Sequence, residues 1–92
     1  MDVRKAAEAA RDYLVSIRRE FHQHPELSMQ EFRTAQRIEE ELDRLGIPHT
    51  RVGETGVLGT LRGEKEGGRA VVLRADIDAL PIEETHECAY RS

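Results

Sequence analysis

The chain has 92 residues, 38% apolar and 35% charged, with a formal charge of −4; at this length only about 60–65% of the unfolded surface is buried on folding, and two Phe, two Tyr and no Trp leave large core-filling side chains scarce. The charge signs are mixed along the chain and no Lys/Arg cluster forms a phosphate-tracking surface, which argues against nucleic acid as a partner, while the lone Cys88 excludes an internal disulfide. No run reaches the ~18 apolar residues of a membrane span, and the opening MDVRKAAEAARDY has no apolar signal-peptide core, so the expectation is a cytoplasmic chain without a membrane partner.

Ala6, Ala10, Leu14, Ile17 and Phe21 recur at three- and four-residue intervals with charged residues between them. That spacing predicts one amphipathic helix with a single buried stripe. It should end near His22–His24, because Pro25 disfavours helical geometry in the residue before it. A second helix is marked at both ends. Ser28 and Glu31 have the spacing of a capping box, and Leu27 and Phe32 that of a hydrophobic staple. The stripe Phe32, Ala35, Ile38, Leu42, Leu45 then leads to Gly46, the expected left-handed residue past the helix end, and Pro48 blocks continuation.

Beyond Gly46 the texture changes to short strands. IPHTRV (47–52) and GVLGTLRG (56–63) each read as one, EKEGG (64–68) as a charged turn, and RAVVLRAD (69–76) as a strand covered on both faces. The simplest pairing joins Gly56–Arg62 to Ala70–Arg74 as an antiparallel hairpin within a mixed sheet. The fold class is therefore α/β, two helices followed by strands of a mixed sheet. Such a layer leaves one sheet face without a cover, so the chain is expected to be a piece of a larger domain.

Chemistry concentrates in RADIDALP. Ligands of open α/β sheets gather at the carboxyl ends of strands, and in extended geometry Asp76 and Asp78 point to one side. Adjacent carboxylates repel and need water, an arginine or a cation beside them; Arg74, in the same alternation, can supply that charge. The competing reading is a solvated loop whose aspartates cap turns, and residue types alone do not separate the two. His22 and His24 lie at a helix end, where positions two apart diverge by roughly 200°, so the helix dipole explains them better than a metal does. Glu26 reads as a turn residue bonded to nearby backbone or to Arg18 or Arg19. His86, Glu87 and Cys88 are too compact to converge on one ion, and the glycines spell neither a P-loop nor a dinucleotide fingerprint.

RREFHQHPELSMQEF, then TGVLGTLRG, then VVLRADIDALPIEE and YRS, in that order and at suitable spacing, resemble the N-terminus of M20-type metallopeptidases. More narrowly they are similar to the amidohydrolase branch: N-acyl-amino-acid amidohydrolases, hippurate hydrolases and auxin-conjugate hydrolases. The resemblance implies that residues 1–92 are the N-terminal portion of a zinc-peptidase-like catalytic domain. The complete enzyme would cleave the amide bond of an N-acyl amino acid or a similar small conjugate. It would hold two divalent ions, zinc or similar, and carry a later, smaller domain that often mediates dimerisation. Asp76 matches the aspartate that, in the wider family, holds a metal-binding histidine in orientation, and it is the candidate catalytic residue. Arg74 stands where that histidine would be, so no metal ligand is carried over. The branch takes its first ligands from a Cys-Gly-His-Asp segment, expected after YRS; Cys88, flanked by Glu87 and Ala89, does not fit it. The expectation for these 92 residues alone is no bound metal and no amidase activity. The alternative reading is a small α/β protein-interaction module without catalysis.

Overall fold

In the computed structural model, which describes residues 2–63, 67–80 and 88, three helices precede an antiparallel hairpin: α1 (Val3–Ala9), α2 (Arg11–Gln23), α3 (Phe32–Leu45), β1 (His49–Val52) and β2 (Gly56–Gly59). This is a small α/β fold, helices first and strands after, as the sequence predicts. The chain divides into two units, one built on α1 and α2, the other running from Glu26 to Ala79.

In the first unit, Asp2 starts α1. Its side chain accepts from the N–H groups of Arg4 (3.1 Å) and Lys5 (3.3 Å), satisfying donors that a helix start leaves free. The single predicted helix over residues 6–21 is interrupted once, at Ala10 (φ −88°, ψ 0°). The interruption is slight, because the ladder continues on both sides: Ala10 N–H donates to Ala6 O, and Leu14 N–H to Ala10 O. Nothing in the residue type at Ala10 explains it. α2 ends at Gln23 with His24 as its cap, where Pro25 leads one to expect it. The stripe is less buried than its spacing suggests: Ile17 and Phe21 are half-buried and Leu14 is exposed.

In the second unit, α3 ends as its sequence dictates. Gly46 adopts the left-handed conformation (φ 71°), its N–H donates to Asp43 O, and the next N–H, from Ile47, reaches back to Leu42 O at 2.9 Å. Together these close the last free carbonyls in a Schellman motif. The start of α3 differs from the prediction. Leu27 O accepts from Gln30 N–H at 2.9 Å, and Met29 within that turn has φ 68°, so Ser28 and Met29 leave helical register. The helix begins only at Phe32. Glu31 occupies the cap position without a side-chain cap bond, the Ser28–Glu31 box does not form, and the staple register is lost with it.

β1 and β2 pair antiparallel, His49 opposite Gly59 and Val52 opposite Gly56. Gly53 (φ 67°) opens the three-residue turn in a left-handed conformation that glycine adopts without a Cβ clash, and Arg51 Nη1 donates to Glu54 O at 2.6 Å across it. At Gly56 a Cβ would stand 2.5 Å from Val52 O, and at Gly59 it would meet Leu42 and Ile47; small residues let the turn close and the helix end approach β2. Charge pairs tie the hairpin to α3. Arg51 holds Glu39 (2.7 Å), and His49 Nε2 lies 2.7 Å from Asp43 Oδ1.

The pairing of Gly56–Arg62 with Ala70–Arg74 is corrected by this arrangement, since β2 takes β1 instead. Residues 67–80 carry neither helix nor strand, and Val71, Val72 and Leu73 are 83–93% exposed. A three-residue turn closes at small entropic cost, whereas a strand covered on both faces needs distant partners. Among the described residues Ala35 is the one fully buried apolar side chain. Most of the predicted EKEGG turn, the segment PIEE, the pair His86–Glu87 and YRS lie outside the described residues.

Candidate functional site

Glu26 organises the site from the sequence upward. Following Pro25, it sits outside α3, yet its carboxylate reaches the helix start. Oε1 accepts from the Thr34 N–H and the Thr34 hydroxyl, both at 2.6 Å, and Oε2 from the Arg33 N–H at 3.2 Å. It thus performs the capping that Ser28 was expected to perform. Burial pushes its pKa up, but the Thr34 hydroxyl, the Thr34 and Arg33 N–H groups and the Arg33 charge outweigh that, and the carboxyl is held below its ordinary 4.5. The backbone of the same residue does a second job: Glu26 O accepts from Ala79 N–H at 2.7 Å. One residue therefore fixes both the start of α3 and the end of the segment that carries Asp76.

Between these elements, still within the second unit, lies a cleft of about 680 Å³. Its walls are the turn before α3, the hairpin turn and residues 73–78. Ser28 and Glu31 contribute from the first, Thr55 from the second, and Arg74, Asp76 and Asp78 from the third. All three charged residues of RADID line this cleft, but Ala75 and Ile77 line it too and the segment is not a strand, so period-two alternation is not what brings them together. Arg74 Nη2 lies 3.3 Å from Asp76 Oδ1, with the two side chains 87% and 72% exposed. An ion pair so open to water contributes about 0–1 kcal/mol.

Glu31 is the residue that sequence reasoning missed. It is 8% exposed, and its Oε1 has no hydrogen-bond partner among the described residues. Spacing assigned it to a capping box, and that assignment concealed its place beside RADID. The histidines go elsewhere: His22 is on the last turn of α2 and His24 caps it. Cys88 is half-buried and in no disulfide. Among the described residues no three His, Cys, Asp or Glu side chains converge to hold a metal ion. The cleft can orient donors and cations through its carboxylates. No helix among the described residues is long and apolar enough to cross a membrane.

Over nearly its whole length the chain is similar to curated hydrolases and peptidases. It is 46% identical over 83 residues to the thermostable carboxypeptidase 2 of Saccharolobus solfataricus, an alignment covering 88% of this chain and 21% of that protein. It is 44% identical over 92 residues to the Bacillus subtilis protein named "Putative amidohydrolase YhaA", covering 99% of this chain and 23% of that one. An uncharacterized hydrolase of Staphylococcus haemolyticus is 43% identical over 81 residues, 88% of this chain and 21% of the relative. The chain thus spans about a fifth of the length of these relatives. No family model and no solved structure matches it.

Proposed function

We propose that residues 1–92 are the N-terminal portion of the catalytic domain of an M20-type, metal-dependent amidohydrolase, acting in the cytoplasm on the amide bond of N-acyl amino acids or similar small conjugates. The observation that carries this reading is the 43–46% identity, over 81 to 92 residues, to proteins named as carboxypeptidase, amidohydrolase and hydrolase. The order HPELS, TGVLGTLRG, RADIDALP supports the narrower branch. Two divalent ions belong to the complete enzyme in this reading. The described residues do not fit a site for them; in this reading their ligands come from the later Cys-Gly-His-Asp segment that the resemblance implies, and no step is assigned to them from this chain.

What this chain supplies is a wall. Asp76, on a segment pinned at Ala79 to the α3 cap, presents its carboxylate on that wall, where in the complete enzyme it would accept a hydrogen bond from a neighbouring ligand or its hydration and keep it oriented. Asp78 and Arg74 brace the loop. Taken alone, the 92 residues hold no metal tightly and hydrolyse no acylated amino acid.

The test replaces the aligned segment of the Saccharolobus carboxypeptidase with this chain. The chimera is expected to retain peptidase activity, and Asp76→Asn within it to lower kcat by about 10–100-fold. Equal activity of the chimera and its Asp76→Asn variant would remove Asp76 from the site. In parallel, the purified 92-residue chain, dialysed after incubation with zinc, should retain none; stoichiometric zinc would contradict the placement of the ligands elsewhere.

A further inference from the structure

Glu31 presents a problem that the structure leaves open. A carboxylate oxygen withdrawn from water needs a donor, and leaving it without one is among the more unfavourable arrangements in a folded chain. Glu31 Oε1 is in that position, and the cap site it occupies gives its side chain no bond. Among the residues lining the cleft beside it, Arg74 is the sole cation. Arg74 is engaged only loosely, at 3.3 Å from Asp76 with both side chains mostly in water. A buried carboxylate left unpaired costs far more than a lost exposed pair, so a guanidinium within reach gains more at Glu31 than at Asp76.

Reach is favourable. Residues 67–80 have no helix or strand holding them, and the end of this segment is already fixed, by Ala79 N–H on Glu26 O, to the turn that leads into Glu31. We propose that Glu31 is a positioning residue for the Asp76 segment: Arg74 exchanges its exposed partner Asp76 for the buried Glu31 carboxylate, drawing residues 73–78 onto the start of α3. The exchange leaves both Asp76 oxygens free to accept hydrogen bonds from a group in the cleft. It rests on the geometry of this chain and not on the hydrolase reading, and a contact measurement reads it without any activity.

The experiment is side-chain NMR of the full 92-residue chain at neutral pH. The Arg74 Nε–H signal, assigned by its loss in Arg74→Lys, is expected to exchange with water at least about tenfold more slowly than those of the exposed arginines. It should show a nuclear Overhauser contact to the Glu31 Hγ protons. It should persist in Asp76→Asn and collapse to the exposed position in Glu31→Gln. Loss in Asp76→Asn with no change in Glu31→Gln would overturn the proposal. The wild-type contact alone decides the matter if a variant does not fold: no Glu31–Arg74 contact means no anchor.

Discussion

Glu26 is bound through both its side chain and its backbone, and the two roles can be separated by substitution. Glu26→Ala removes three acceptor contacts from the start of α3 but keeps the carbonyl that holds Ala79. By analogy with lost helix caps, it should destabilise the chain by about 1 kcal/mol, read by urea unfolding. Its pH dependence has a definite sign. The folded carboxyl titrates below the ordinary value of 4.5, so its contribution is present in full above that value and is lost as pH falls through the folded one. The wild type should therefore lose stability on acidification below pH 4.5 more steeply than Glu26→Gln. Parallel curves would mean that the Thr34 and Arg33 contacts do not favour the ionised form. Met29, at φ 68°, shows the other side of this design: a non-glycine residue accepts a sparsely populated conformation so that the chain can turn back before the helix begins.

At the level of elements, the local signals were legible and the non-local ones were not. Gly46 and Pro48 announced the end of α3 because a left-handed residue followed by a ring that cannot continue the helix acts within a few residues. The start of α3 was misread because its cap comes from Glu26, seven and eight residues away from the N–H groups it satisfies. Ser28 and Glu31 match the spacing of a cap while belonging to a turn. The apolar run Ala70–Leu73 matches a buried strand, yet strand pairing needs a neighbour that spacing cannot name, and β2 found one closer by. In the site, the concentration of charge at Arg74, Asp76 and Asp78 was readable as a segment, though not through strand alternation, which residues 67–80 do not adopt; the buried Glu31 was hidden by its better-known role. The hairpin itself depends on a close approach at Gly56, where a Cβ would stand 2.5 Å from Val52 O. Gly56→Ala should open the Val52–Gly56 closing pair and destabilise by about 1–3 kcal/mol, visible as loss of cross-strand contacts between Arg51 and Val57. An unchanged hairpin would mean that the turn relaxes freely.

For the whole molecule, the sparse core is the governing fact. With Ala35 as the one fully buried apolar side chain among the described residues and Val71–Leu73 in water, the second unit relies on caps, charge pairs and one hairpin. An exposed apolar segment of this kind is what a covering element would shield. The isolated chain should accordingly bind a hydrophobic dye such as ANS in its native state, and the triple change Val71→Thr, Val72→Thr, Leu73→Thr should reduce the signal by about threefold or more. Dye binding unaffected by the triple change would locate the exposed surface elsewhere, for instance at Leu14 or Leu61.

The bond from Ala79 N–H to Glu26 O joins positions far apart in sequence at one turn. For anyone shuffling this gene with its relatives, it follows that recombination breakpoints between codons 26 and 79 separate the two halves of a single clasp. Crossovers upstream of Pro25 inherit the clasp whole, and libraries built that way should yield more folded progeny.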